Sequence, residues 1–150
     1  MPQLRSIVLV GNPILRQEAV TVKRFGESLY SLLDDMCLTM KKNDGVGLAA
    51  PQIGISKKII VIDDGSGPME LINPVITKAK GKQIDSERCL SVPDRGGKVP
   101  RAMNITVEGQ DREGNPITIT AKGFTARILQ HEIDHLHGRL FIDIMTEEDN

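Results

Sequence analysis

Several features that mark particular protein classes are missing from this sequence. No apolar run approaches the roughly 20 residues that a membrane-spanning helix requires, so we expect no membrane partner. The net charge is −1 and there is no block of basic residues, which argues against direct binding of nucleic acid. Residues 1–13 lack the length and cleavage pattern of a signal peptide. We therefore expect a cytoplasmic protein.

Cysteine is also scarce, with Cys37 and Cys89 as the only two. Without a secretory signal, reduced thiols are a better expectation than a disulfide. A length of 150 residues, 39% hydrophobic and 26% charged, suits one domain with a buried core. There is no internal repeat and no low-complexity linker. We expect a single catalytic domain over residues 1–150.

Hydrophobic spacing predicts two helices. An amphipathic helix over residues 25–43 follows from apolar positions three and four apart, and a second helix is predicted over residues 124–137, before Gly138. Patterns typical of strands cover residues 58–63, 70–77, 103–110 and 117–121. Most strands fall between the helices, which indicates an α+β fold with antiparallel sheets. The apolar stripe of the first helix consists of Leu29, Leu32, Leu33, Met36, Cys37 and Met40, so we place Cys37 in the core.

The most informative segment is QHEIDH, residues 130–135. On a helix, His131 and His135 lie on one face, about 6 Å apart along the axis, and can hold one divalent metal ion. Glu132 beside them can take a proton from a water molecule on that ion, as in amide hydrolases. A chance match is the alternative, because short motifs of this type also occur in proteins that bind no metal. His137 should face away from this stripe.

The third ligand is the next question, and residues 87–91 offer a candidate. A lone cysteine in a strand is most often a small core residue. Here Cys89 stands among charged residues and a serine, and strand alternation sends Glu87, Cys89 and Ser91 to one face. A Cys89 thiolate would complete a three-ligand site that leaves one position open, as catalytic sites do.

A third segment, residues 45–54, contains three glycines and two alanines. Such residues are poor strand or helix formers but allow another chain or a ligand to approach the backbone closely. A tight packing turn is the simpler interpretation. Gln52 has chemical capacity, because its amide can donate a hydrogen bond to a developing oxyanion.

These three segments together resemble the peptide deformylase family. The chain carries GVGLAAPQIG at 45–54, ERCLS at 87–91 and QHEIDH at 130–135, in the family's order. The resemblance implies a central metal-binding helix surrounded by antiparallel β-sheets. It also implies a hydrolase that removes the N-formyl group from the initiator methionine of new polypeptides, a step of N-terminal processing in protein biosynthesis.

The resemblance also implies roles for individual residues. The metal ligands would be Cys89, His131 and His135, and the ion would usually be ferrous iron (Fe2+), with Ni2+, Co2+ or Zn2+ able to replace it. Glu132 would act as general base and then acid, while the Gln52 amide and the Leu90 N–H would stabilise the oxyanion. Val46 and Gly47 would line the substrate cleft. For the methionine pocket we select Ile128, one turn before His131, and Phe124, two turns before it.

Two features depart from the family pattern. The family usually has glycine where this chain has Arg88, which would be strained if the backbone needed a positive φ there. In a regular strand Arg88 would point away from the metal and be tolerated, and we expect this outcome. The resemblance makes the ribosome a candidate partner, but the tail over residues 146–150 is acidic. Docking through a basic C-terminal helix, which some family members use, is therefore not expected.

Two other functions fit parts of the pattern. A metalloprotease with the same His-Glu-x-x-His helix would need a third ligand downstream, where only carboxylates such as Asp143 and Glu147 are available. A metal-stabilised interaction domain would have a closed four-ligand site and no hydrolysis. Asp134 could help to order the histidines or form a salt bridge to a basic residue such as Arg101, or it could be a partly exposed helix charge. Glu87 could pair with Arg101 as well.

Overall fold

The computed structural model describes all 150 residues and contains two α-helices and eight β-strands. The helices are α1 (Glu27–Lys42) and α2 (Gly123–Leu136). The strands are β1 (Gly47–Ala49), β2 (Ile59–Asp63), β3 (Pro68–Lys80), β4 (Gln83–Cys89), β5 (Val92–Arg101), β6 (Asn104–Gln110), β7 (Pro116–Lys122) and β8 (Glu147–Glu148). The α+β class predicted from the sequence is confirmed.

The strands form two antiparallel sheets on either side of α2. The larger sheet has the order β1-β2-β3-β6-β7, and the smaller has the order β4-β5-β8. Apolar residues of α2, including Leu129 and Ile133, pack on the larger sheet in one core cluster. Polar residues on its other side reach the smaller sheet, where Arg127 donates to the Val99 carbonyl. Strands β1 and β4 are both edge strands, so one side of each has no neighbouring strand.

Helix α1 forms the second core cluster through the predicted apolar stripe, whose leucines and methionines are buried. It begins two residues later than predicted, after Gly26. It ends one residue earlier, at Lys42, where the Asn43 side chain donates to the Thr39 carbonyl at 2.8 Å and caps the last turn. No helix in the structure is long and apolar enough to cross a bilayer.

The glycine-rich segment forms more regular structure than expected. Residues 47–49 form β1, and Ala50–Ile53 form a 3-10 helix. All three β1 residues are buried and pair with β2. Gly47 has no side chain and so lets the edge strand lie close to Glu132 on α2. Packing thus outweighs the low strand propensity of glycine and alanine.

Candidate active site

Cys89, His131 and His135 converge between α2 and the smaller sheet. Cys89 is the last residue of β4, and the two histidines lie one turn apart on α2. Their ligand atoms all lie within 4.8 Å of one another. All three residues are buried, with at most 8% of their surface exposed. The sequence thus brings one thiol and two imidazoles to a single point.

The donor set fits a divalent transition metal. Cys89 Sγ lies 3.3 Å from His135 Nε2, so both atoms can face one ion. His131 Nδ1 lies 2.8 Å from Glu87 Oε1, which leaves its Nε2 for the same ion. Burial lowers the pKa of His131, but Glu132, Cys89 and Glu87 together raise it well above its usual value.

Glu87 connects His131 to two buried arginines. Its carboxylate accepts two hydrogen bonds from Arg101, at 2.9 and 2.8 Å, and one from Arg127 at 2.5 Å. Burial raises the pKa of Glu87, but bonds from Arg101 and His131 outweigh burial and lower it to about 2. Arg101 also donates to Asp134 at 2.6 Å. Of the two interpretations of Asp134, the structure favours support for the histidine helix.

Glu132 is a buried carboxylate beside the three-ligand centre. It is 4% exposed, and its Oε1 has no hydrogen-bond partner in the protein. Its Oε2 lies 4.0 Å from His131 Nε2. Burial is the main cause that raises the pKa of Glu132 to about 7, and Glu87 adds to it, against the opposing effect of His131. A buried carboxyl with a free oxygen at this position is able to exchange a proton with a group in the cleft.

Gln52 reaches the same point from the 3-10 helix after β1. Its Oε1 accepts from the Ala49 N–H at 2.9 Å, and its Nε2 donates to Cys89 Sγ at 3.4 Å and to Ser91 Oγ at 3.2 Å. Leu90 and Ser91 form the two-residue turn between β4 and β5, and the Leu90 N–H has no partner in the protein. Two N–H donors therefore lie beside the three-ligand centre.

A cleft of about 580 Å3 opens onto this centre. The four residues expected to contact substrate, Val46, Gly47, Phe124 and Ile128, all line it. Val46 and Phe124 are exposed at the rim, whereas Ile128 is 3% exposed.

Sequence reasoning missed other cleft residues. Arg127, four residues before His131 and thus on the same helix face, could have been found by its spacing. Ile7 arrives from the N-terminal segment with no local signal.

Arg88 causes no backbone strain. The only non-glycine residues with positive φ are Asp44 and Asn73, so Arg88 has an ordinary strand conformation. It pairs with Gly96 on β5, and a Cβ on Gly96 would meet Arg88 Cγ at 3.1 Å. Its exposed side chain therefore lies along the neighbouring strand. His137 is on the surface, where its Nδ1 lies 2.9 Å from a Glu18 oxygen.

Comparison with known proteins decides the family. The sequence model of polypeptide deformylase matches residues 4–150. A peptide deformylase of Pelotomaculum thermopropionicum is 53% identical over 137 residues, which cover 91% of this chain and 88% of the relative. The chain belongs to the polypeptide deformylase family. This confirms the resemblance drawn from the three motifs.

Solved deformylase structures share the fold. The crystal structure from Thermotoga maritima has a TM-score of 0.95 at 39% identity and covers 96% of this chain and 99% of that one. A class I type b deformylase from Acinetobacter baumannii, bound to Met-Ala-Ser, has a TM-score of 0.93 at 34% identity and covers 97% and 100%. Deformylases are metal-dependent hydrolases that remove N-formyl groups from nascent peptides, and this is the activity of the chain.

Proposed function

We propose that Cys89, His131 and His135 bind one divalent metal ion per chain, with ferrous iron as the resident metal and nickel, cobalt or zinc as replacements. The convergence of these three buried donors is the observation that carries the proposal. A thiolate and two imidazoles suit these ions, whereas magnesium and calcium prefer oxygen ligands. When bound, such an ion lowers the pKa of a water molecule and polarises a carbonyl group.

Glu132 moves the proton in the proposed reaction. Its carboxylate takes a proton from the attacking water and later gives it to the leaving amine nitrogen, so that formate and a free N-terminus result. The unpartnered Oε1 supports this role, because it leaves one oxygen free to accept the proton. Gly47 supports it too, since the missing side chain at that position gives the carboxylate its space.

Gln52 and Leu90 stabilise the oxyanion in this proposal. Negative charge develops on the formyl oxygen as the carbonyl carbon becomes tetrahedral. The Gln52 Nε2–H and the free Leu90 N–H lie beside the ligand Cys89, where that oxygen would be. Both groups are held by the fold before substrate arrives, so they need no reorganisation during the reaction.

The proposed substrate is an N-formylmethionyl peptide that lies as an extended strand between the edges of β1 and β4. Val46 and Gly47 offer backbone groups from the β1 side, and Ile128 with Phe124 forms part of the pocket for the methionine side chain. The Acinetobacter relative binds Met-Ala-Ser, which supports a peptide that begins with methionine as the ligand. We propose further that residues 1–150 form one catalytic domain that works in the cytoplasm.

A formate-release assay with metal analysis tests the proposal. The protein is prepared without oxygen, because ferrous iron beside a thiolate is prone to oxidation. We expect about one metal ion per chain and formate from formyl-Met-Ala-Ser, with its internal peptide bonds intact. Failure to release formate after reconstitution with nickel or cobalt would contradict the proposal. Cleavage of an internal bond would favour the metalloprotease alternative.

A further inference from the structure

A buried serine lies beside the carboxamide of Gln52. Ser91 is fully buried, and its Oγ accepts a hydrogen bond from Gln52 Nε2 at 3.2 Å. Ser91 lies two residues after Cys89, on the turn that also carries the Leu90 N–H. The proposed reaction gives Ser91 no role, although its hydroxyl contacts one of the two oxyanion donors.

The hydrogen bonds around Gln52 fix which way its amide points. The Ala49 N–H can only donate, so the atom 2.9 Å from it is the oxygen, Oε1. The NH2 group then faces the site with two hydrogens. One hydrogen is directed to Ser91 Oγ, and the other is directed toward Cys89 Sγ, where the reacting carbonyl would lie.

Both residues are also held by their backbones. The Val8 N–H donates to the Gln52 carbonyl at 2.7 Å, and the Val10 N–H donates to the Ser91 carbonyl at 2.8 Å. One extended N-terminal segment thus links the 3-10 helix of Gln52 to the β4–β5 turn. Because both backbones are fixed, Ser91 Oγ and Gln52 Nε2 have little freedom to change their relative position.

We propose that Ser91 is a positioning residue for deformylation. Its Oγ occupies one hydrogen of the Gln52 amide and so directs the other hydrogen at the formyl oxygen. This inference rests on the proposed function, because it requires Gln52 to stabilise the oxyanion. Charge on that oxygen develops in the transition state, so loss of the contact should lower kcat and leave KM nearly unchanged.

A double-mutant cycle on the metal-loaded enzyme tests the coupling. Gln52→Ala should lower kcat about 100-fold, and Ser91→Ala should lower it about tenfold in the wild-type background. In the Gln52→Ala background, Ser91→Ala should have no further effect, because its target is already gone. Ser31→Ala is the control, since Ser31 is exposed on α1, away from the cleft, and should leave kcat unchanged.

A second pair of variants separates the hydroxyl from packing. Ser91→Thr and Ser91→Val have the same shape, but only threonine keeps the acceptor oxygen. We expect kcat to be about tenfold higher for the threonine variant. In the zinc-loaded protein, the Gln52 side-chain NH2 resonances should stay near their wild-type positions in Ser91→Thr and shift in Ser91→Val.

The outcomes are distinguishable from a failure of the proposed function. Equal kcat in the threonine and valine variants, or additive effects in the cycle, would overturn the role of Ser91 while deformylation stands. Unchanged kcat in Gln52→Ala would overturn both the Gln52 and Ser91 roles. Absence of formate release by the wild-type enzyme would instead refute the proposed function itself.

Discussion

The carboxylate of Glu132 lies against the bare Cα of Gly47. A Cβ built on Gly47 would stand 2.5 Å from Glu132 Oε2 and 2.8 Å from its Cγ. These distances are shorter than any real contact, so a side chain at position 47 cannot coexist with Glu132 in its present place. The backbone of Gly47 is otherwise ordinary strand, since its φ is not positive. Glycine is required at position 47 because Glu132, the proposed proton carrier, occupies the space that a side chain would need.

Gly47→Ala should therefore impair turnover without removing the metal. The added methyl group would push the Glu132 carboxylate away, and a displacement of about 1 Å can cost about 100-fold in rate. Metal content should stay near one ion per chain, because none of the three ligands moves. Gly26→Ala is the control, as a Cβ there meets nothing within 4 Å. Normal kcat in Gly47→Ala would mean that Glu132 is not the proton carrier.

Substitution of a metal ligand should remove the metal, whereas substitution of the proposed base should lower kcat and leave the metal bound. Glu132→Ala should retain metal and lose about 10²- to 10⁴-fold in kcat, because only proton transfer is removed. Cys89→Ala should instead lose metal, since the remaining two imidazoles hold an ion weakly. Elemental analysis after gel filtration measures the difference. Full metal content in the Cys89→Ala protein would remove Cys89 from the ligand set.

Removal of Glu87 should destabilise the fold. Arg101 and Arg127 are both buried, and Glu87→Ala would leave their guanidinium groups without this carboxylate. Loss of one partner from a buried ion pair costs about 3–5 kcal/mol. Urea unfolding of the metal-free protein measures the change without a contribution from the metal. Glu148→Ala breaks an exposed pair with Arg95 and should cost far less, because solvent screens that pair. Similar losses in both variants would contradict this account.

Acid should weaken the attachment of the N-terminus to α1. The Gln3 N–H bond and the Arg5 ion pair lower the pKa of Asp35 in the folded protein, although burial opposes them. Stability from this carboxylate is therefore fully present above its unfolded pKa of about 3.9 and is lost as pH falls through the lower folded value. Asp35→Asn should lose less unfolding free energy than wild type between about pH 6 and pH 3.

Asp94→Asn is the matched control for this pH experiment, because Asp94 is exposed. It should show the wild-type loss of unfolding free energy over the same pH range. An equal loss in the Asp35→Asn and wild-type proteins would mean that Asp35 carries none of this pH dependence.

Local sequence patterns were sufficient to predict the two helices and the candidate metal ligands. The spacing of His131 and His135 predicted one helix face, and α2 places both at the same point. The charged and polar residues around Cys89 made it a candidate ligand, and the resemblance agreed. Cys89 lies more than 40 residues from either histidine in the chain, and the position of β4 beside α2 brings them together. The α+β class followed from the order of helical and strand patterns.

Features that depend on distant partners could not be predicted. Strand β5 contains proline and two glycines, so its sequence reads as a loop, yet it pairs with β4 over most of its length. Strand β1 has no strand signal, and its pairing with β2 and the fit of Gly47 beside Glu132 explain it. The hydrogen bond from the Val8 N–H to the Gln52 carbonyl joins segments more than 40 residues apart. It uses backbone groups, which every sequence has. No local pattern encodes such contacts.

In the proposed binding mode, the unpaired edges of β1 and β4 affect how many different polypeptides the enzyme can accept as substrates. Sheet edges present peptide N–H and C=O groups, which are the same in every chain, and only proline lacks the matching donor. New polypeptides share one formylated first residue, but the residues that follow it differ from one polypeptide to the next. An enzyme that binds the main chain and selects for a single side chain can accept all these sequences in one cleft. Polypeptides rich in proline near the N-terminus should be its poorest substrates.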